Sequence, residues 1–246
     1  MTENTAAPSA AEALLDMTTD ANASRQVYDQ WASKYEKDVE EWGYDMPETV
    51  ATLLAKHLLS NNNNNKEKLR ILDAGAGDGL SGLALRKAGF GHDKACLVGV
   101  DFSTEMLAVA KSRQCYDHVQ QLNLNETPFD SSLLESFSSS KDAASSALLD
   151  AITCVGVMTY VEPKVKGGTL REFCRHVKPG GYICYTNRTD KLERHAEEEL
   201  ALEAEGLWKL VEKSGALPYL PNHPDFGDKI QVVIHLYQRT TNPLEK

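Results

Sequence analysis

The chain has 246 residues, 41% of them hydrophobic and 25% charged, which is enough sequence for one well-buried core and the composition of an ordinary globular protein. Its formal net charge of −10 repels polyanions and so argues against nucleic acid as a partner. Five cysteines at 96, 115, 154, 174 and 184 show no CxxC spacing and the seven histidines are scattered, which disfavours both a disulfide framework and a metal site.

Residues 1 to about 20, rich in Ala, Thr, Ser and Asn, read as a mobile tail ahead of a single domain over 21–246. Between Asp20 and Gly43, Val27, Trp31, Tyr35, Val39 and Trp42 recur at helical steps and predict one amphipathic leading helix. A second helix starts near Pro47 and turns Val50, Leu53, Leu54, His57 and Leu58 inward. The asparagine run 61–65 closes it as a surface loop. Short apolar runs then alternate with helical ones, the pattern of a parallel sheet. The predicted strands are Leu69–Ala74, Cys96–Asp101, His118–Leu122, Ala151–Val157 and Gly181–Asn187. The helix after Gly79 puts Leu80, Leu83 and Ala84 on one side and stops at Gly89; Ser103 caps the next. The stretch 136–146 is low in complexity and predicts an exposed loop. Asp190-Lys191-Leu192-Glu193 fits a capping box opening a helix through Leu200. Leu207–Val211 and Ile230–Tyr237 predict two final strands, antiparallel because the proline-bearing loop between them is too short for a crossover helix. The fold class is therefore α/β, a doubly wound, mostly parallel sheet with one reversed strand.

No apolar run is long enough to span a bilayer, and the first residues lack a basic start and apolar core; the expected address is cytoplasmic, with no membrane partner. The basic residues Lys164, Lys166, Arg171, Arg175 and Lys178 lie close in sequence but read as a solvated helix face rather than a nucleic-acid patch.

The sharpest signal is Ile71-Leu72-Asp73-Ala74-Gly75-Ala76-Gly77-Asp78-Gly79: an apolar strand, an acidic residue, three alternating glycines, then a helix. Glycines let a ligand approach the backbone. Asp101 ends the next strand, where a carboxylate can accept both hydroxyls of a ribose. Together they describe a nucleoside site. A dinucleotide fingerprint would need glycine where Leu80 stands, which disfavours a nicotinamide-dependent oxidoreductase. A cofactor with an ammonium group would find an anionic partner in Asp73.

LDAGAGDGLSGLALRKAGF, VGVDFSTEMLAVAK, YDHVQQLNL and HVKPGGYICYTNR resemble successive motifs of class I S-adenosylmethionine-dependent methyltransferases, from about residue 25 to 239. Within that superfamily, VYDQWASKYEKDVEEWGY followed by the glycine loop looks most like the small methyltransferase-like proteins of the Williams-Beuren region type. The resemblance implies a Rossmann-like seven-stranded sheet with an antiparallel last strand and helices on both faces. It implies S-adenosylmethionine as cofactor and S-adenosylhomocysteine as product. Asp73, Gly75, Ala76 and Gly77 would enclose the methionine part, Asp101 would hold the ribose, and Phe102 and Met106 would flank the adenine. Asn123, where the family usually has an acidic residue, would accept from the adenine amine, with Leu124 beside it. Val155 and Gly156 would floor the site near the sulfonium. The N-terminal helices (21–60) would act as a lid through Tyr28, Trp31 and Tyr35.

Methyl transfer from a sulfonium is an in-line displacement on an activated group and needs no obligatory base. Were one used, Tyr160 and Glu162, after the fourth strand, are the candidates, since ligands bind at the carboxyl ends of parallel strands. The family often has histidine where Thr159 stands. Neither an Asn-Pro-Pro-Tyr motif nor a Pro-Cys nucleophile follows that strand. The loop Leu217 to Asp228, with Tyr219, His223 and Phe226, either shapes an acceptor pocket or merely connects two strands. The expected protein is a monomeric methyltransferase acting on an unidentified small molecule or protein; the alternative is a non-catalytic sensor of the cofactor or its product.

Overall fold

A computed structural model describes residues 21–60, 67–130, 133, 137, 148–225 and 227–244. The tail expected over 1–20, the asparagine run, Phe226 and nearly all of 136–146 lie outside these residues.

The helices are α1 (Ala21–Trp31), α2 (Tyr35–Glu41), α3 (Met46–Leu58), α4 (Leu80–Lys87), α5 (Thr104–Ser112), α6 (Thr169–His176) and α7 (Ala196–Ala204). The strands are β1 (Leu69–Ala74), β2 (Ala95–Asp101), β3 (His118–Gln121), β4 (Leu149–Cys154), β5 (Val177–Arg188), β6 (Trp208–Lys213), β7 (Leu217–Pro218) and β8 (Gln231–Arg239). Seven strands run in the order β3-β2-β1-β4-β5-β8-β6, and the two-residue β7 adds to β8. The pairs from β3 to β5 are parallel, while β8 runs antiparallel to both β5 and β6. The sheet is thus the doubly wound one expected, with β8 as its reversed strand.

Alternation along the strands builds two cores. Leu69, Ile71 and Leu97 face one side, where Val50, Leu54 and Leu58 of α3 and Leu85 of α4 cover them. Leu72, Ala74, Val98 and Val100 face the other, under Leu170 and Phe173 of α6 and Leu202 of α7. All five cysteines are unpaired, and burial pushes the thiols of Cys174 and Cys184 up to about 12, so they behave as small apolar groups.

Four local expectations change. The leading helix is two helices, α1 and α2. In a continuous helix residues 31 and 38 would sit about 10 Å apart along the axis; the turn at 32–34 instead brings the Trp31 indole N–H to the Asp38 carboxylate at 2.7 Å. On α4 the buried residues are Ser81, Gly82, Ala84 and Leu85, and Leu83 is exposed. Asp190 caps no α-helix: its carboxylate takes both Nε and Nη2 of Arg188 at 3.0 and 2.8 Å, Thr189–Arg194 forms a 3-10 helix, and α7 starts only at Ala196. Finally, β4 ends at Cys154 rather than running to Val157, because Gly156 takes a left-handed φ of 76°.

Among the described residues no helix is long and apolar enough to cross a membrane, and no three His, Cys, Asp or Glu side chains stand close enough to hold a metal ion. The basic cluster is largely neutralised: Arg171 pairs with Glu205, Arg175 with Glu172 and Lys178 with Asp150.

Candidate cofactor site

Asp73 shows how register builds the site. Its neighbours across the sheet are Gly99 on β2 and Thr153 on β4. Thr153 donates its hydroxyl to Asp73 Oδ1 at 2.9 Å. Gly99 has no side chain, and the Tyr116 ring fills that space, only 3.1 Å from where a Cβ would stand. The Tyr116 hydroxyl donates to Asp73 Oδ2 at 2.6 Å and accepts from the Gly82 amide at 3.0 Å. Asp73 is therefore sealed, 1% exposed, and burial raises its carboxyl to about 6 against those two hydrogen bonds.

Beyond Asp73 the chain reverses. The amides of Gly75 and Ala76 both donate to the Val100 carbonyl at 2.8 Å, and Gly77 donates to Asp101 Oδ2 at 2.9 Å. Gly75 has φ 80°, and a Cβ there would stand 2.3 Å from Val157 Cγ2, so only glycine serves. Asp101 Oδ1 accepts from the Ser103 amide at 2.9 Å. Burial outweighs these bonds and raises the Asp101 carboxyl to about 6 as well. Ser103 caps α5 by accepting from Met106 at 3.1 Å and donates to Asp29 of α1 at 2.5 Å. That bond latches α1 onto the Asp101 turn. A second tie runs from Arg113 to buried Asp78 in the glycine loop and to Glu36 of α2, at 2.5 and 2.9 Å.

At the carboxyl ends of β1, β2 and β4 lies a partly open cavity, where small-molecule sites of α/β sheets form. Gly75, Gly77 and Asp101 form one wall; Phe102, Met106, Asn123 and Leu124 form the next; Val155, Gly156 and Tyr160 lie under the β4 end, and Tyr28 and Tyr35 close the top. Four expected residues stand elsewhere. Trp31 packs in the core, 6% exposed, against Tyr35 and Trp42. Ala76 is buried behind the loop. Asp73 spends both oxygens on Tyr116 and Thr153, so it shapes the loop rather than facing an ammonium. Glu162 points outward, its side chain 44% exposed and 3.9 Å from Arg194, because extended Val161 is the residue that turns inward. The Asn123 side-chain oxygen already accepts from the Asn125 amide at 3.1 Å.

Residues 71–181 match the family described as "Methyltransferase domain". The matched segment, less than half of the chain, is similar to methyltransferase domains. Human methyltransferase-like protein 27 is 29% identical over 188 residues, 74% of this chain and 66% of that protein, so the match spans just under two thirds of the curated relative. A chain of the complex between the Haloferax volcanii Trm112 methyltransferase activator and a methyltransferase superposes with a TM-score of 0.53 at 18% identity, covering 87% of this chain and 97% of that one. Magnesium protoporphyrin IX methyltransferase from Synechocystis PCC 6803, solved with S-adenosylmethionine bound, gives 0.51 at 14% identity over 79% of each chain. The sheet described above is thus a fold that solved methyltransferases share.

Sequence reasoning missed Ser24, Leu122, Asn125, Val157 and Val161 on the cavity wall. Leu122 and Asn125 flank a residue already singled out. Ser24 carries no signal, since a serine in the first turns of an amphipathic helix is unremarked.

Proposed function

We propose that the whole chain transfers a methyl group from S-adenosylmethionine to a small-molecule acceptor, and that it is of the same kind as the methyltransferase-like proteins of the Williams-Beuren region. The observation that carries this is the cavity uniting Gly75, Gly77 and Asp101 with the end of β4. The 29% identity to the human protein supports the kinship. In this reading residues 21–246 act as one domain. Gly75 and Gly77 give the methionine part access to backbone, Asp101 holds the ribose, Phe102, Met106 and Leu124 flank the adenine, and Tyr28 and Tyr35 exclude water from above.

A small acceptor fits because the β4 end of the cavity is roofed by aromatic side chains of α1 and α2, which are bound down through Asp29 and Glu36. The net charge of −10 and the ion-paired basic cluster leave little to draw a polyanion.

Calorimetry with S-adenosylmethionine and S-adenosylhomocysteine tests binding, and methyl-labelled cofactor with fractionated extract tests transfer. Binding plus label in the low-molecular-weight fraction is the expected outcome. Binding without label in any fraction would make the chain a sensor; no binding would end the reading altogether.

A further inference from the structure

Past the cofactor wall, four segments distant in sequence meet around Gly156. A Cβ at Gly156 would stand 2.9 Å from the Tyr44 hydroxyl and 3.7 Å from that of Tyr219, whose rings contact edge to face at 5.5 Å. The Gly156 amide is fixed by Thr186 Oγ1 at 2.7 Å. Tyr160 lines the cavity, and its buried hydroxyl interacts with Arg188 and Tyr28. The guanidinium of Arg188, 4% exposed, lies close enough to act electrostatically on both Tyr160 and Tyr219.

This end of the site holds donors. Burial raises the phenols of Tyr44, Tyr160 and Tyr219 above their ordinary value, so they are neutral near pH 7 and none serves as a base. Nearby carboxylates are committed: Asp190 to Arg188, Asp101 to two backbone amides, and Asp73 to Tyr116 and Thr153. An amine acceptor would arrive protonated and find nothing to take its proton. A carboxylate arrives deprotonated and is oriented by the phenol O–H donors, with the Arg188 guanidinium, held by Asp190, behind them. Its reaction with a sulfonium also cancels two opposite charges, which a dry cavity favours over water.

We propose that Tyr44, Tyr160 and Tyr219, with Arg188 behind them, form the acceptor subsite, and that its substrate is a small carboxylic acid methylated on oxygen. The proposal rests on the methyl-transfer reading above. A carboxylate lone pair forms the O–CH3 bond as the C–S bond breaks, and that bonding pair stays on sulfur. A neutral ester and neutral S-adenosylhomocysteine result, with no proton moved.

The test uses the full chain, methyl-labelled S-adenosylmethionine and a low-molecular-weight extract fraction, followed by mild alkali. A methyl ester releases labelled volatile methanol, whereas methyl groups on nitrogen, sulfur or carbon stay put. The proposal expects volatile label, and it expects Tyr160→Phe to raise the acceptor KM about tenfold while the cofactor Kd stays within about twofold. Alkali-stable label, or no transfer from demonstrably bound cofactor, overturns it. An unchanged acceptor KM in Tyr160→Phe removes Tyr160 from the subsite. Failure to bind S-adenosylmethionine at all would instead count against the methyl-transfer reading.

Discussion

The two ends of the cavity are built differently. At the β1–β2 end, Gly75, Gly77, Asp101 and Ser103 are tied by backbone hydrogen bonds over short stretches of chain, and buried carboxylates are locked in place by fixed partners. At the β4 end, Tyr44, Tyr160, Arg188 and Tyr219 come from four separate segments and meet through side chains. The first end is preorganised by local geometry and suits a constant ligand. The second depends on tertiary packing and can change its contents without disturbing the sheet.

The sharpest way to break the first end is Gly75→Ala. A left-handed φ of 80° and a Cβ at 2.3 Å from Val157 together cost enough to weaken S-adenosylmethionine binding by roughly 100-fold, given ~1–3 kcal/mol for backbone strain plus the overlap. Adding Val157→Ala should recover part of that loss in calorimetry, because only the overlap is relieved. If the single variant binds normally, the glycine loop is not the wall of the site.

Asp101→Asn comes next. On the proposed role of Asp101 at the ribose, loss of its charge-assisted hydrogen bonds should weaken binding by roughly 10- to 100-fold. In the unliganded protein the sign is opposite. The folded carboxyl sits near 6, raised from 3.8 by burial, so the folded state holds its proton more tightly than the unfolded one. The stability this gives is complete below the unfolded value and is lost as pH rises through about 6. At pH 7.5 the relief of a buried charge is opposed in the variant by the one amide, of Gly77 or Ser103, that asparagine leaves without an acceptor, so melting should move little, while wild-type cofactor affinity should fall as pH drops below about 6. A melt that drops sharply in Asp101→Asn would make the residue structural.

These differences explain what was legible in the sequence. The sheet could be read because its strands are apolar runs with fixed partners, and even the reversed β8 followed from a loop too short to cross over. The glycine loop and Asp101 were legible because they lie about one strand–helix unit apart. The partners of Asp73 were not legible because they depend on Gly99 and Thr153, on two neighbouring strands, and on Tyr116, beyond α5. Trp31 and Tyr35 share one helical stripe in sequence, yet the turn at 32–34 sends one to the core and the other to the cavity. Tyr44 and Arg188 carried no local signal, since only packing brings them to Gly156.

A milder perturbation separates roof from core. Tyr35→Ala should weaken cofactor binding by more than about tenfold, through loss of the aromatic cover over the cavity. If calorimetry gives an unchanged affinity, Tyr35 joins Trp31 as a packing residue.

The smallest effect is expected at Glu162, and it sharpens the contrast at the β4 end. Its position one residue past Val161 makes it a natural base in sequence terms, but its carboxylate is nearly half exposed and faces Arg194 at 3.9 Å. Its backbone amide is already held by Asn125 at 2.7 Å, so the segment keeps its shape whatever the side chain. An exposed pair of this kind contributes about 0–1 kcal/mol, and a group outside the cavity cannot take a proton in the transition state. Glu162→Gln should therefore leave turnover within about twofold at every pH. A large fall in kcat with an altered pH profile would place a base where the packing of Val161 leaves no room for one.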